Sequence, residues 1–165
     1  MPAPANTHVI FRLSGARLAL PADSVAEIVL EPRLMRPPGA PEVVAGLMDL
    51  RGCAVPVVRL DRLLGLAEPA RAPFRPLLVL SRPPPAPWAV LAEAVEQVFF
   101  ADQPMAPAPR DLSFDDCVAG MVATQGGMVP VLAPERLLRK RESLALEEFR
   151  DRAAARLEGF RLADA

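Results

Sequence analysis

In several segments of the first 140 positions apolar and polar residues alternate with a period of two, and the arrangement of these segments is written twice. In HVIFRLS (8–14), Val9, Phe11 and Leu13 alternate with Ile10, Arg12 and Ser14, the pattern of a half-buried strand. Gly15 predicts a tight turn into RLAL. SVAEIVL (24–30) alternates again, and AGLMDLRG and CAVPVVRL predict a hairpin about Gly52. VAGLMDLRGCAVPVVRLDRLL (44–64) then aligns without a gap on VAGMVATQGGMVPVLAPERLL (118–138). Upstream, LALPADSVAEIVL (18–30) lies over WAVLAEAVEQVFF (88–100), and FRLS (11–14) over LVLS (78–81). The chain is thus two copies of one unit, at about 8–66 and 75–139. Two copies are too few for a solenoid and predict a compact, two-lobed all-β body.

Pro56 and its counterpart Pro130 fall inside the second hairpin strands. Proline cannot donate to a ladder, so an edge or bulge is expected there in each small, curved lobe. The connections EPRLMRPPGAPE, GLAEPARAPFRP, SRPPPAP and ADQPMAPAPRD are proline-rich surface segments. Helix is expected as short turns at 60–65 and 134–139, and in the tail. From Leu146, the residues Leu146, Phe149, Ala153, Leu157 and Phe160 recur at steps of three and four, an amphipathic stripe. Glu148 and Arg152 have i,i+4 spacing, and Gly159 weakens the far end. An isolated helix of this length is marginal in water, so the stripe is expected to pack on the lobes or on a partner.

Composition excludes more than it selects. The 165 residues are 52% hydrophobic and 24% charged with a net charge of −1, the balance of a globular protein. Of 19 cationic side chains only Lys140 is a lysine. A small β-barrel that binds nucleic acid is the alternative reading, but it would need a basic groove and aromatic stacking platforms, and aromatic content is 5%. An enzyme would need a poised acid, base, nucleophile or metal cluster. The chain has one histidine, His8 near its start, and no tyrosine; Asp115 and Asp116 read as a loop cap before a strand. Cys53 and Cys117 stand alone in apolar runs and are expected as buried, reduced thiols without a metal. No cofactor is expected. The start lacks a basic and apolar leader and no apolar run approaches ~20 residues, which predicts a cytoplasmic protein.

The run VAGLMDLRGCAVPV, with Val25 to Ile28 upstream as V-x-E-I and a degenerate second copy, resembles the CheW family of chemotaxis coupling proteins and the CheW-like domain of the histidine kinase CheA. The resemblance covers about residues 8–139, and its most specific part is Leu-Arg-Gly followed by Pro-Val. It implies two SH3-like, five-stranded β-barrel lobes, with strands able to exchange between them, and a helical tail at 140–165. It further implies a non-enzymatic scaffold that bridges chemoreceptor tips to CheA and is recruited from the cytoplasm to membrane receptor arrays.

The candidate binding residues are Val25, Glu27, Ile28, Val29, Arg51, Val95 and Val98. Alternation puts Val25, Glu27 and Val29 on one face of their strand and Ala26, Ile28 and Leu30 on the other. If the second set fills the barrel, the first presents a charge between two apolar side chains, a candidate docking surface. Arg51 at the hairpin tip is the expected partner of Glu27, and the resemblance implies that the pair lies on the receptor-contacting face. Val25 and Val29 are expected to meet Val95 or Val98 in a groove between lobes, where the resemblance implies a docked receptor helix. In the second copy Gln97 replaces Glu27, and Thr124–Gln125 replaces Leu50–Arg51, so the charge constellation is expected once. Gly46, Gly52, Gly120 and Gly126 are expected at turns or close backbone approaches. Two residues depart from the family pattern: Asp49 stands where asparagine is usual, and Arg59 where aspartate is usual, with Asp61 two positions on.

Overall fold

A computed structural model describes residues 6–82, 87–112, 116–138 and 140–163. Asp115 and the side chains of Leu157 and Phe160 lie outside the described residues. The first copy forms β1 (Thr7–Leu13), β2 (Ala16–Pro21), β3 (Val25–Leu30), β4 (Val44–Leu50) and β5 (Cys53–Val58), then the one-turn helix α1 (Leu60–Leu63). The second forms β6 (Pro76–Leu80), β7 (Trp88–Leu91), β8 (Ala94–Phe100), β9 (Val118–Thr124) and β10 (Gly127–Leu132), then α2 (Pro134–Leu137). A 24-residue helix, α3 (Lys140–Ala163), follows.

The copies do not fold separately. One sheet runs β8-β1-β2-β10-β9 and the other β3-β6-β7-β5-β4. Each copy's first two strands sit among the other copy's last three, joined on one side by a short parallel ladder and on the other by a long antiparallel one. No ladder joins β8 to β9 or β3 to β4 among the described residues, so the expected barrels are seen as two open five-stranded sheets.

Strand alternation divides the apolar residues among three cores. Val9, Phe11, Leu13, Leu18 and Leu20 from one sheet meet Val58, Leu78, Leu80, Trp88 and Val90 from the other in a core between the sheets. The intervening positions turn inward: Val55, Val57, Leu77, Val79, Ala89 and Leu91 on one sheet, and Ile10, Ala19, Val122, Val129 and Val131 on the other. The central strands are therefore buried on both faces, which one-sided alternation does not anticipate.

Pro56 and Pro130 are not on edges. Each lies on an interior strand, and the parallel ladder begins one residue later, at Val57 and Val131, so the missing N–H falls outside it. Cys53 is exposed at the start of β5, contrary to expectation, because it follows the hairpin tip; Cys117 is buried and donates to the Arg136 carbonyl at 3.2 Å.

The tail packs on its own chain. Leu146, Phe149 and Ala153 are buried in the inter-sheet core, and Leu144, off the stripe, is exposed. Arg152 does not pair with the Glu148 carboxylate; its Nε donates to the Glu148 carbonyl at 3.4 Å. Phe149→Ala should lower stability by about 3 kcal/mol, and deletion of 143–165 by more, both read by urea unfolding.

His8 does not sit at a free end. It lies in β1, paired with Pro21 and Phe99, and is 4% exposed, with Nδ1 unpartnered among the described residues. Burial pushes its pKa below 6.5, against smaller upward pulls from the Asn6 backbone and Asp23. Above pH 6.5 the ring is neutral in both states and adds no pH dependence; as pH falls through 6.5 the unfolded chain takes up the proton first and stability drops. Unfolding free energy should therefore decline below pH 6.5 in the wild type and stay flatter over the same window in His8→Leu.

Candidate functional site

The Leu50-Arg51-Gly52 segment forms a two-residue turn between β4 and β5 in which Arg51 (φ 51°) and Gly52 (φ 85°) are both left-handed. Such a turn matches the twist of the flanking strands, and glycine takes the second position without strain. Asp49 accepts a hydrogen bond from the Gly52 N–H at 2.8 Å, closing the turn as the usual asparagine would. Arg51 is thereby aimed at β3, where it meets Glu27 through two hydrogen bonds, Nη2 to Oε1 at 2.5 Å and Nη1 to Oε2 at 3.2 Å. The arginine side chain is 72% exposed and the carboxylate 31%.

The hydrogen bond from Arg51, reinforced by its charge, holds the Glu27 carboxyl below its usual range, and the same contacts raise the Arg51 pKa. The pair is thus fully ionised at neutral pH and accessible to solvent, a fixed bidentate feature on the surface.

The faces of β3 are the reverse of the expected ones. Val25, Glu27 and Val29 are half-buried, whereas Ala26, Ile28 and Leu30 are exposed, Ile28 by 42% and Leu30 by 64%. The register with β6 shifts between Val25 and Glu27, leaving Ala26 as the extra residue of a bulge. A bulge re-aims the strand: Val25 packs on the inter-sheet core, and Val29 on the inner core of its own sheet. The copy in β8 does the same about Glu96, with Val95 on the inter-sheet core and Phe99 on the inner one. Val98 is 64% exposed and Phe100 57%. Of the four side chains expected to line a groove, Val25 and Val95 pack on the same inter-sheet core, Val29 on the inner core of its sheet, and Val98 lies on an open surface.

Both sheets end in an edge strand, β3 or β8, whose outward face carries an apolar pair, Ile28 with Leu30 or Val98 with Phe100. The pairs occupy matching places in the two copies. The charge pattern does not. On the sheet edged by β8, Glu96, projecting from the bulge, accepts from Arg12 at 2.6 Å and from Arg17 at 3.0 Å, and Arg17 also donates to Thr124 at 3.0 Å. A second carboxylate–arginine constellation thus exists one residue away from Gln97. Sequence reading missed it because its members come from β1, β2, β8 and β9, which only the strand exchange brings together.

Gly46 and Gly120 mark close approaches: a Cβ on either would lie 2.8 Å from a carbonyl oxygen, of Met35 or Ala106. Gly126 leaves room for Arg17, whose Nη1 would be 2.6 Å from a Cβ there. Arg59 pairs with Asp61 two positions on, at 2.9 Å. Among the described residues no group of His, Cys, Asp and Glu could hold a metal ion, and no helix is long and apolar enough to cross a membrane.

Residues 7–142 match the CheW-like domain family. The chain belongs to that family. The crystal structure of the scaffolding protein TtCheW from Thermoanaerobacter tengcongensis is similar, with a TM-score of 0.74 and 23% identity over 84% of this chain and 90% of that one. No curated protein matches the sequence. The CheW-like match ends at residue 142, so nearly all of α3 lies beyond the family's common unit although its stripe is part of this chain's core.

The Glu27 carboxylate, paired with Arg51, should titrate below the usual 4.5. Arg51→Ala should move the midpoint up toward 4.5, measured by carboxyl-carbon NMR, while Arg12→Ala should leave it unchanged.

Proposed function

We propose that the protein is a non-enzymatic scaffold of a chemosensory array, coupling the cytoplasmic tips of chemoreceptors to the histidine kinase CheA. The observation that carries this reading is the pair of apolar edge strands, one on each sheet, set beside different charge constellations: Ile28 and Leu30 with Glu27–Arg51, and Val98 and Phe100 with Glu96–Arg12–Arg17. A scaffold has to hold two partners at once without confusing them. Equal apolar edges supply affinity through unpaired backbone groups and contact area, and unequal charges supply the choice between partners. Membership of the CheW-like family supports the same reading.

We further infer that each sheet curls as an SH3-like barrel. The inner core of the second sheet draws on all five of its strands, from Val29 in β3 to Met48 in β4, and a bulge in each edge strand supplies the bend. Among the candidate residues, Glu27, Ile28, Arg51 and Val98 are the accessible members for a partner, whereas Val25, Val29 and Val95 act by shaping the strands that present them.

Co-sedimentation of receptor-bearing membranes with CheA tests the proposal. Glu27→Arg should abolish ternary assembly while changing stability by no more than ~0.5 kcal/mol, since the site is on the surface. The double swap Glu27→Arg with Arg51→Glu should restore part of it. Ile28→Asp and Val98→Asp should each weaken one partner more than the other. Val25→Asp should instead lower the melting temperature and lose both partners together, because it places a charge against the inter-sheet core. Normal kinase recruitment by Glu27→Arg would overturn the proposal.

A further inference from the structure

A recess of about 660 Å³ opens just past the end of β3, between the β3–β4 connection, the start of α1 and the segment leading into β6. Five arginines line it, Arg33, Arg36, Arg59, Arg71 and Arg75, against three carboxylates, Glu31, Asp61 and Glu68. The carboxylates are already committed: Asp61 and Glu68 to Arg59 at 2.9 and 3.7 Å, and Glu31 to Arg75 at 3.1 Å. Arg33, Arg36 and Arg71 form no ion pair among the described residues and are exposed. In a chain of net charge −1, a concave excess of positive charge focuses a field that attracts anions.

Two further observations separate this recess from an accidental cluster. Part of the lining is already paired and largely covered: the Arg59 and Arg75 side chains are only 20% and 17% exposed and that of Asp61 7%, so the exposed arginines are the ones left for a ligand. The segment that carries Arg71 and Arg75 is also strained. Phe74 holds a left-handed backbone (φ 58°) with its ring 74% exposed, an unfavourable combination for a bulky residue that local packing does not repay. Arg71 and Arg75, on either side of Phe74, both line the recess.

We propose that this recess binds a small polyanion carrying phosphate groups. The volume lies in the range of small-molecule sites. The arginines come from separate segments and surround a hollow, whereas a site for an acidic peptide would spread them along a track. The guanidinium fork binds phosphate oxygens bidentately, and Leu34, Ala45 and Leu91 give the recess an apolar patch for the body of such a molecule. The site is independent of the coupling reading, since none of its residues belongs to an edge patch, and a ligand held there would give the scaffold a metabolic input.

Titration calorimetry on the full chain at low salt, with pyrophosphate and ATP as probes and hexaglutamate as the acidic-peptide arm, tests the proposal. Saturable binding of one phosphate probe per chain is expected, weakened about tenfold by Arg33→Ala and by Arg71→Ala, as loss of a charge-assisted hydrogen bond implies. Arg110→Ala, outside the recess, should leave it unchanged. Unaltered melting temperatures in Arg33→Ala and Arg71→Ala would show that the losses are local. Absence of saturable binding up to about 1 mM, binding indifferent to both variants, or tighter binding of hexaglutamate at the same site would each overturn it.

Discussion

Everything in this molecule depends on the burial of both faces of the central strands. A strand apolar on both faces has to be covered twice, and neither copy of the repeated unit has the elements to do this alone. Exchange of the first two strands solves the problem. Leu78, Leu80, Trp88 and Val90 of the second copy enter the first copy's sheet and face Phe11, Leu18 and Leu20 of the first copy, which have moved the other way. The inter-sheet core thus ties the halves into one folding unit, and α3 extends that core through Leu146, Phe149 and Ala153.

The same arrangement makes two similar but unequal ends. The bulges at Ala26 and Glu96 occupy matching places, and so do the bulges at Ala45 and Ala119. Backbone geometry and core were kept in both copies, while the exposed charges diverged. Core positions tolerate little change in volume, whereas exposed charges seldom alter stability. Duplication therefore left two ends that share a backbone and a core but differ in their exposed charges.

Some of this was legible from the residues. The duplication, ten strands' worth of alternation, the turn at Gly52, the close approach at Gly46, the Glu27–Arg51 partnership and the tail stripe all rest on short-range pattern or on direct comparison of the two copies. The outward face of β3 was not legible. Alternation gives two faces but not which one is wet, and the bulge at Ala26 further decides which core the inward residues meet, Val25 the inter-sheet core and Val29 the inner one. The Glu96 cluster and the arginine recess were illegible for a related reason, since each gathers residues from segments far apart in the chain.

The amino-acid sequence by itself determined the strands, the turn chemistry and the twofold repetition, because these depend on dihedral preferences and periodicities spanning a few residues. Tertiary structure decided the rest. Which copy each strand joins, whether Pro56 is at an edge, whether His8 and Cys53 are covered, and which arginines stand unpaired all depend on non-local packing, where the competing arrangements share the same local pattern and differ only in what lies against it.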